Sequence, residues 1–164
     1  MKLNGIVPKI QREVIIPILS DTVKFFFIAL PISSYDEFDL LCPMPKPRMG
    51  GEPGKEKPLT DTSDYKEAMA HHSMLFTEWI YVKSLAEAAD EEGNREPVEW
   101  QTVDRDDIET YPNWRKELKE NNGLSEGDIR RIELEVLKCN SMDDALIEKA
   151  KDDFLAIAKK AGTS

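Results

Sequence analysis

The sequence predicts an α+β protein, mainly α, in which a small N-terminal β-hairpin or sheet is followed by a helical body. Three observations predict it. β-branched and aromatic runs crowd the first thirty residues, prolines and glycines crowd residues 43–60, and beyond residue 64 apolar residues recur at three- and four-residue steps. The expected division is a β-rich segment over residues 1–42, a linker or loop over 43–60 and a helical domain over 61–164.

The run Val14, Ile15, Ile16 and the run Val23 to Ile28 read as two strands, with Ser20 and Asp21 as the turn between them. Pro17 has no N–H to give a ladder, so it ends the first strand or confines it to a sheet edge. Three consecutive phenylalanines, Phe25, Phe26 and Phe27, cannot share one face of a strand, so at least one points away from the inner face. Two strands alone are marginal in water; the hairpin needs a covering helix or a further strand. A short helix follows at residues 35–41 with Ser34 as its cap. Pro43, Pro45, Pro47, Pro53 and Pro58, with Gly50, Gly51 and Gly54, then remove donors and loosen the chain. A spacer is the commoner meaning of such a stretch, although PxP repeats also serve as ligands for aromatic grooves.

Asp64 is placed to cap a helix from Tyr65 to about Ala89, buried along Tyr65, Met69, His72, Phe76, Trp79 and Val82, with Leu85 and Ala86. Residues 96–103 read as a short strand or extended segment. Pro112 sits in the first turn of a helix that stops near Asn121, Asn122 and Gly123. Ser125 with Asp128, and Ser141 with Asp144, resemble capping boxes opening two further helices. The second carries the stripe Met142, Leu146, Ala150, Phe154, Ile157 and Ala161.

A chain of 164 residues suits one domain, or one domain with a small appendage, and 40% apolar residues suffice for a core. The net charge of −10 repels nucleic acid and anionic membranes, and no cluster of Lys and Arg offsets it. Arg130 and Arg131 stand beside Asp128 and Glu133 as an ordinary solvated helix face. Basic or apolar protein partners remain allowed. Cys42 and Cys139 lie far apart in no metal-like spacing, which points to thiols in a reducing compartment. The N-terminus has no signal-peptide pattern, and the apolar run from Phe25 to Ile32 is far short of a membrane span. Cytoplasm is the expected location.

Candidate chemistry finds little support. His71 and His72 point about 100° apart on a helix and cannot chelate one metal together. Cys42 with either histidine would make a nucleophilic pair, but nothing nearby orients it. Asp104, Asp106, Asp107 and Glu109 lack the central glycine of a calcium loop and fit the acidic start of a helix instead. Gly50, Gly51 and Gly54 lack the Lys-Ser/Thr of a phosphate loop. The expectation is a non-enzymatic protein with no catalytic residue, cofactor or metal.

The order of four segments carries a family resemblance: FFIALPISSYDEFDLLCPMPKP, YKEAMAHHSMLFTEWIYVKSL, EWQTVDRDDIETYPNWRKELKENNGLSEGDIRRI and LKCNSMDDALIEKAKDDFL. Together, over residues 13–158, they resemble the tail assembly chaperones of long-tailed bacteriophages. The resemblance implies a small helical protein in the host cytoplasm that binds the tape-measure protein while the tail tube assembles. Two other readings stay open: a virion structural component that associates with further copies through its N-terminal strands, and an acidic inhibitor that mimics nucleic acid.

The C-terminal stripe reads first as intramolecular core, because amphipathic helices in small domains normally pack inward. Few later elements remain to cover it, however, so Met142, Leu146, Phe154 and Ile157 are the candidate partner-binding residues. With no ligand set of workable spacing, a chelator is expected to leave the thermal melt unchanged; a chelator-dependent fall in Tm would redirect attention to His71, His72 and Cys42.

Overall fold

The computed structural model describes residues 1–6, 13–19, 24–142 and 144–162. The fold is α+β, mainly α. Strands β1 (Val14–Leu19) and β2 (Lys24–Ala29) precede helix α1 (Asp36–Leu41). A two-residue ladder, β3 (Met49–Gly50) with β4 (Lys57–Pro58), leads into the long helix α2 (Ser63–Ser84). Strands β5 (Glu87–Ala89) and β6 (Arg95–Pro97) come next, then a 3-10 helix (Ile108–Asn113) and helices α3 (Trp114–Asn122), α4 (Glu126–Cys139) and α5 (Asp144–Gly162).

Two compact units divide these elements, and both are discontinuous in sequence. The first gathers Met1–Pro31, Ser84–Val98 and Glu126–Ser164; the second gathers Ile32–Lys83 and Glu99–Ser125. A sequence read in order places its divisions at 42 and 60, whereas the units interleave the segments.

In the first unit, β1, β2, β5 and β6 form one antiparallel sheet in that order. The hairpin thus gains both supports that two bare strands lack: β5 extends it, and α4 packs on β1 and β2. Alternation sets the faces. Ile16 and Ile18 are buried and pair with Phe27 and Phe25, while Ile15, just before Ile16, is 61% exposed. Phe26 falls on the other face and is half-buried. Helix α4 presents buried Ile129, Ile132, Val136 and Cys139 at helical spacing, and the Cys139 Sγ lies 3.6 Å from the Ala29 carbonyl. Each fully buried aliphatic side chain of this kind contributes about 1.5–3 kcal/mol.

β1 is the edge strand, and Pro17 lies inside it without ending it. The missing N–H costs nothing on the free side of an edge. The Pro17 carbonyl accepts from Arg131 Nη2 of α4 at 2.7 Å. The turn expected at Ser20 and Asp21 lies outside the described residues.

Ser84, fully buried at the end of α2, binds the three segments of this unit to one another. Its carbonyl accepts the Leu30 N–H at 3.0 Å, and its Oγ accepts the Asn140 side-chain amide at 2.7 Å. A helix-end carbonyl that would otherwise lack an intrahelical partner is thereby satisfied by a strand. Two residues on, the Ala86 carbonyl accepts the Val98 N–H at 2.9 Å.

The second unit is built on aromatic packing. Phe38 of α1 is buried against Phe76, Trp79 and His72 of α2, with ring centroids 5.0, 5.7 and 5.1 Å apart. Tyr35 meets Phe76 edge-on at 5.0 Å.

Several local expectations need correction. Helix α2 stops at Ser84, not Ala89, because Glu87–Ala89 is drawn into the sheet beside β2. Its first turn is held by Thr62 Oγ1, which accepts the Tyr65 N–H at 3.3 Å, in place of Asp64. Ser34 does not occupy the cap of α1; Tyr35 does, and Ser34 Oγ accepts the Asp36 N–H from one position further out. The extended segment narrows to Arg95–Pro97, and Pro112 sits inside a 3-10 helix ahead of α3. The left-handed stop is as expected: Gly123 has φ +70° and donates its N–H to the Leu118 carbonyl.

Ile132→Ala is expected to destabilise the chain by about 3 kcal/mol through the cavity left under β1 and β2. Ser84→Ala is expected to cost about 1 kcal/mol, one hydrogen bond. Urea titration of both variants measures the difference, and an Ile132→Ala midpoint equal to wild type would contradict the packing described.

Candidate interaction surface

The residues with chemical potential are engaged in structural contacts. The His72 ring is buried, with Nε2 3.2 Å from the Cys42 carbonyl. The exposed His71 Nε2 lies 2.8 Å from Glu109 Oε1. Burial pushes the Cys42 thiol above its ordinary range and the Glu109 charge adds to the shift, so the thiolate that a nucleophile requires is disfavoured.

The acids at 104–109 organise their own loop. Asp107 caps the 3-10 helix by accepting the Glu109 N–H at 3.1 Å, and Asp104 Oδ1 accepts the Asp106 N–H at 3.0 Å. Among the described residues no group of three or more His, Cys, Asp or Glu is arranged to hold a metal ion. The open cleft lined by Lys46, Arg48, Asp64 and Tyr65 is crossed by an exposed Arg48–Asp64 pair at 3.5 Å.

Two buried carboxylates stand out, and sequence reasoning missed both. Glu78 of α2 accepts from the Trp114 indole N–H at 2.7 Å and from Arg115 Nη1 at 2.5 and 2.6 Å. The Arg115 guanidinium also lies 5.1 Å from the Tyr81 ring centroid and 4.7 Å from that of Trp114. Glu117 Oε1 accepts from the backbone of Gln101 at 2.9 Å and Thr102 at 2.5 Å, and from Thr102 Oγ1 at 2.7 Å. Both groups join α-helical segments to other parts of the second unit, and both are satisfied. No local motif marks them; only the spacing of Trp114 and Arg115 after a buried α2 face hints at a partner.

The remaining candidate is α5. Phe154 and Ile157 are each 67% exposed, and Leu155 is 63% exposed. Phe154 and Ile157 stand three residues apart and so share a face, as the stripe requires. Met142 is half-buried just before the helix, and the Leu146 and Ala150 side chains lie outside those described. The first reading of this stripe, as intramolecular core, does not hold for its described large residues. Helix α4 ends just before α5 in a left-handed turn. Ser141 adopts a left-handed φ of +57°, the Met142 N–H donates to Leu137 O at 2.7 Å and the Ser141 N–H donates to Lys138 O at 3.0 Å. That pair of bonds closes α4 before α5 begins.

Removing Glu78 strands a partly buried guanidinium and an indole N–H, so Glu78→Ala is expected to cost about 3 kcal/mol. Glu109→Ala, which breaks an exposed pair, is expected to cost under about 1 kcal/mol. Equal effects on the urea midpoint would overturn this ranking. No known protein family, curated protein or solved structure matches the chain.

Proposed function

We propose that the chain is a non-enzymatic binding protein whose α5 holds a helical protein partner. The observation that carries this reading is the exposure of Phe154, Leu155 and Ile157 on one helix. Large apolar side chains clustered on a surface helix lose free energy to water until something covers them. An amphipathic helix of this kind pairs naturally with another, its largest side chain acting as the anchor.

The resemblance to phage tail assembly chaperones supplies the identity of that partner: the tape-measure protein, itself a long helical chain. On this reading the host cytoplasm is where binding occurs. The net charge of −10 favours partners that are basic or apolar and keeps the complex away from nucleic acid. Among the described residues no helix is long and apolar enough to cross a membrane.

Strand addition at β1, which a virion structural role would use, is the poorer route. Pro17 offers no N–H, and Arg131 already occupies its carbonyl.

Phe154→Asp is expected to leave the circular dichroism spectrum unchanged and to abolish pull-down of the tape-measure protein; Leu146→Asp tests the N-terminal half of the stripe. Undiminished capture by folded Phe154→Asp protein would remove α5 from the function.

A further inference from the structure

The charges flanking the α5 stripe carry more information than its exposure. Successive helical residues turn by about 100°. Phe154, Ile157, Ala158 and Ala161 therefore share one face, and Asp153 and Lys160, seven residues apart, lie along the same border of it. Their charges are opposite, and they straddle the exposed Phe154 and Ile157.

That arrangement is complementary to itself when the helix is reversed. In an antiparallel pair of identical helices, like borders face each other. With the two-fold axis between positions 156 and 157, Asp153 of each helix stands opposite Lys160 of the other, which makes two equivalent ion pairs. Size matches as well: Phe154 falls opposite the small Ala158 and Ala161, and Ile157 meets its own copy. A parallel pair does neither. It sets opposite borders together, so Asp153 cannot reach Lys160, and it stacks Phe154 on Phe154.

We infer that α5 pairs with α5 of a second copy of this chain, antiparallel about Ile157, with Phe154 buried against Ala158 and Ala161 and Asp153 bonded to Lys160. The inference rests on the proposed reading of α5 as a binding face and adds a second occupant of it. A self-paired α5 is masked, so a helical partner must displace the second copy, and self-association and partner binding compete.

The test is light scattering coupled to size exclusion on the full chain at about 100 µM, suited to a weak two-helix contact. Wild type is expected to dimerise. Asp153→Lys and Lys160→Asp each turn two attractive pairs into repulsive ones and are expected to weaken the dimer about tenfold. The double variant D153K/K160D restores both pairs with reversed polarity and is expected to dimerise like wild type. A monomeric wild type, single variants that dimerise unchanged, or a double variant as weak as the singles would each overturn the inference. The failure is separable from that of the proposed function: Phe154-dependent capture of the tape-measure protein by a monomeric chain would sink the self-pairing alone.

Discussion

The first unit depends on one fully buried hydroxyl-bearing residue. Ser84 is the last residue of α2, yet its carbonyl holds the end of β2 through Leu30 and its hydroxyl holds the end of α4 through Asn140. Three stretches of chain, separated by more than fifty residues on one side and as many on the other, meet there. β5 begins three residues later, already beside β2, and α4 ends one residue before Asn140. A larger residue at this position would have no room, and an apolar one would leave the Asn140 amide without this acceptor.

The second unit solves a comparable problem with charge. Glu78 and Glu117 are buried carboxylates, and each is costly unless its lone pairs are filled. Glu78 is met by an indole and a guanidinium; Glu117 is met by two backbone amides and a hydroxyl. Such bonds are directional where apolar contact is not. They fix which rotation of α3 fits its surroundings, whereas the rings of Phe38, Phe76 and Trp79 would tolerate several.

Legibility in the sequence followed the range of the interactions. The helices after residue 124 could be read from apolar spacing, a signal that acts within one or two turns, but the capping box expected at Ser141 does not open α5, because Ser141 is the left-handed residue that closes α4. The hairpin could be read from Val14 to Ile16 and the Phe25–Phe27 run, likewise a local signal. The end of α2 could not. Residues 85–89 continue a helical pattern, and only pairing with Phe26 and Phe27, sixty residues earlier, draws them into a strand. The roles of Glu78 and Glu117 were equally hidden, since a Glu on a helix is normally solvated and nothing adjacent marks the exception. For α5 the stripe was legible but its surroundings were not: Leu155, off the main stripe, is nearly as exposed as Phe154. A local pattern identifies an apolar face without saying what lies opposite.

The interleaving of the two units also constrains the order in which they can be completed during synthesis. Strands β1 and β2 are made first, but α4, which covers their apolar face, is made more than ninety residues later. The second unit has all its segments once residue 125 has emerged; the first still lacks its covering helix. Until then Ile16, Ile18 and Phe27 are exposed on a nascent sheet, the kind of surface that aggregates or recruits a holdase. A chain prematurely terminated in the loop before α4 would carry that surface permanently, so the folding risk of the first unit is concentrated in the interval before α4 emerges.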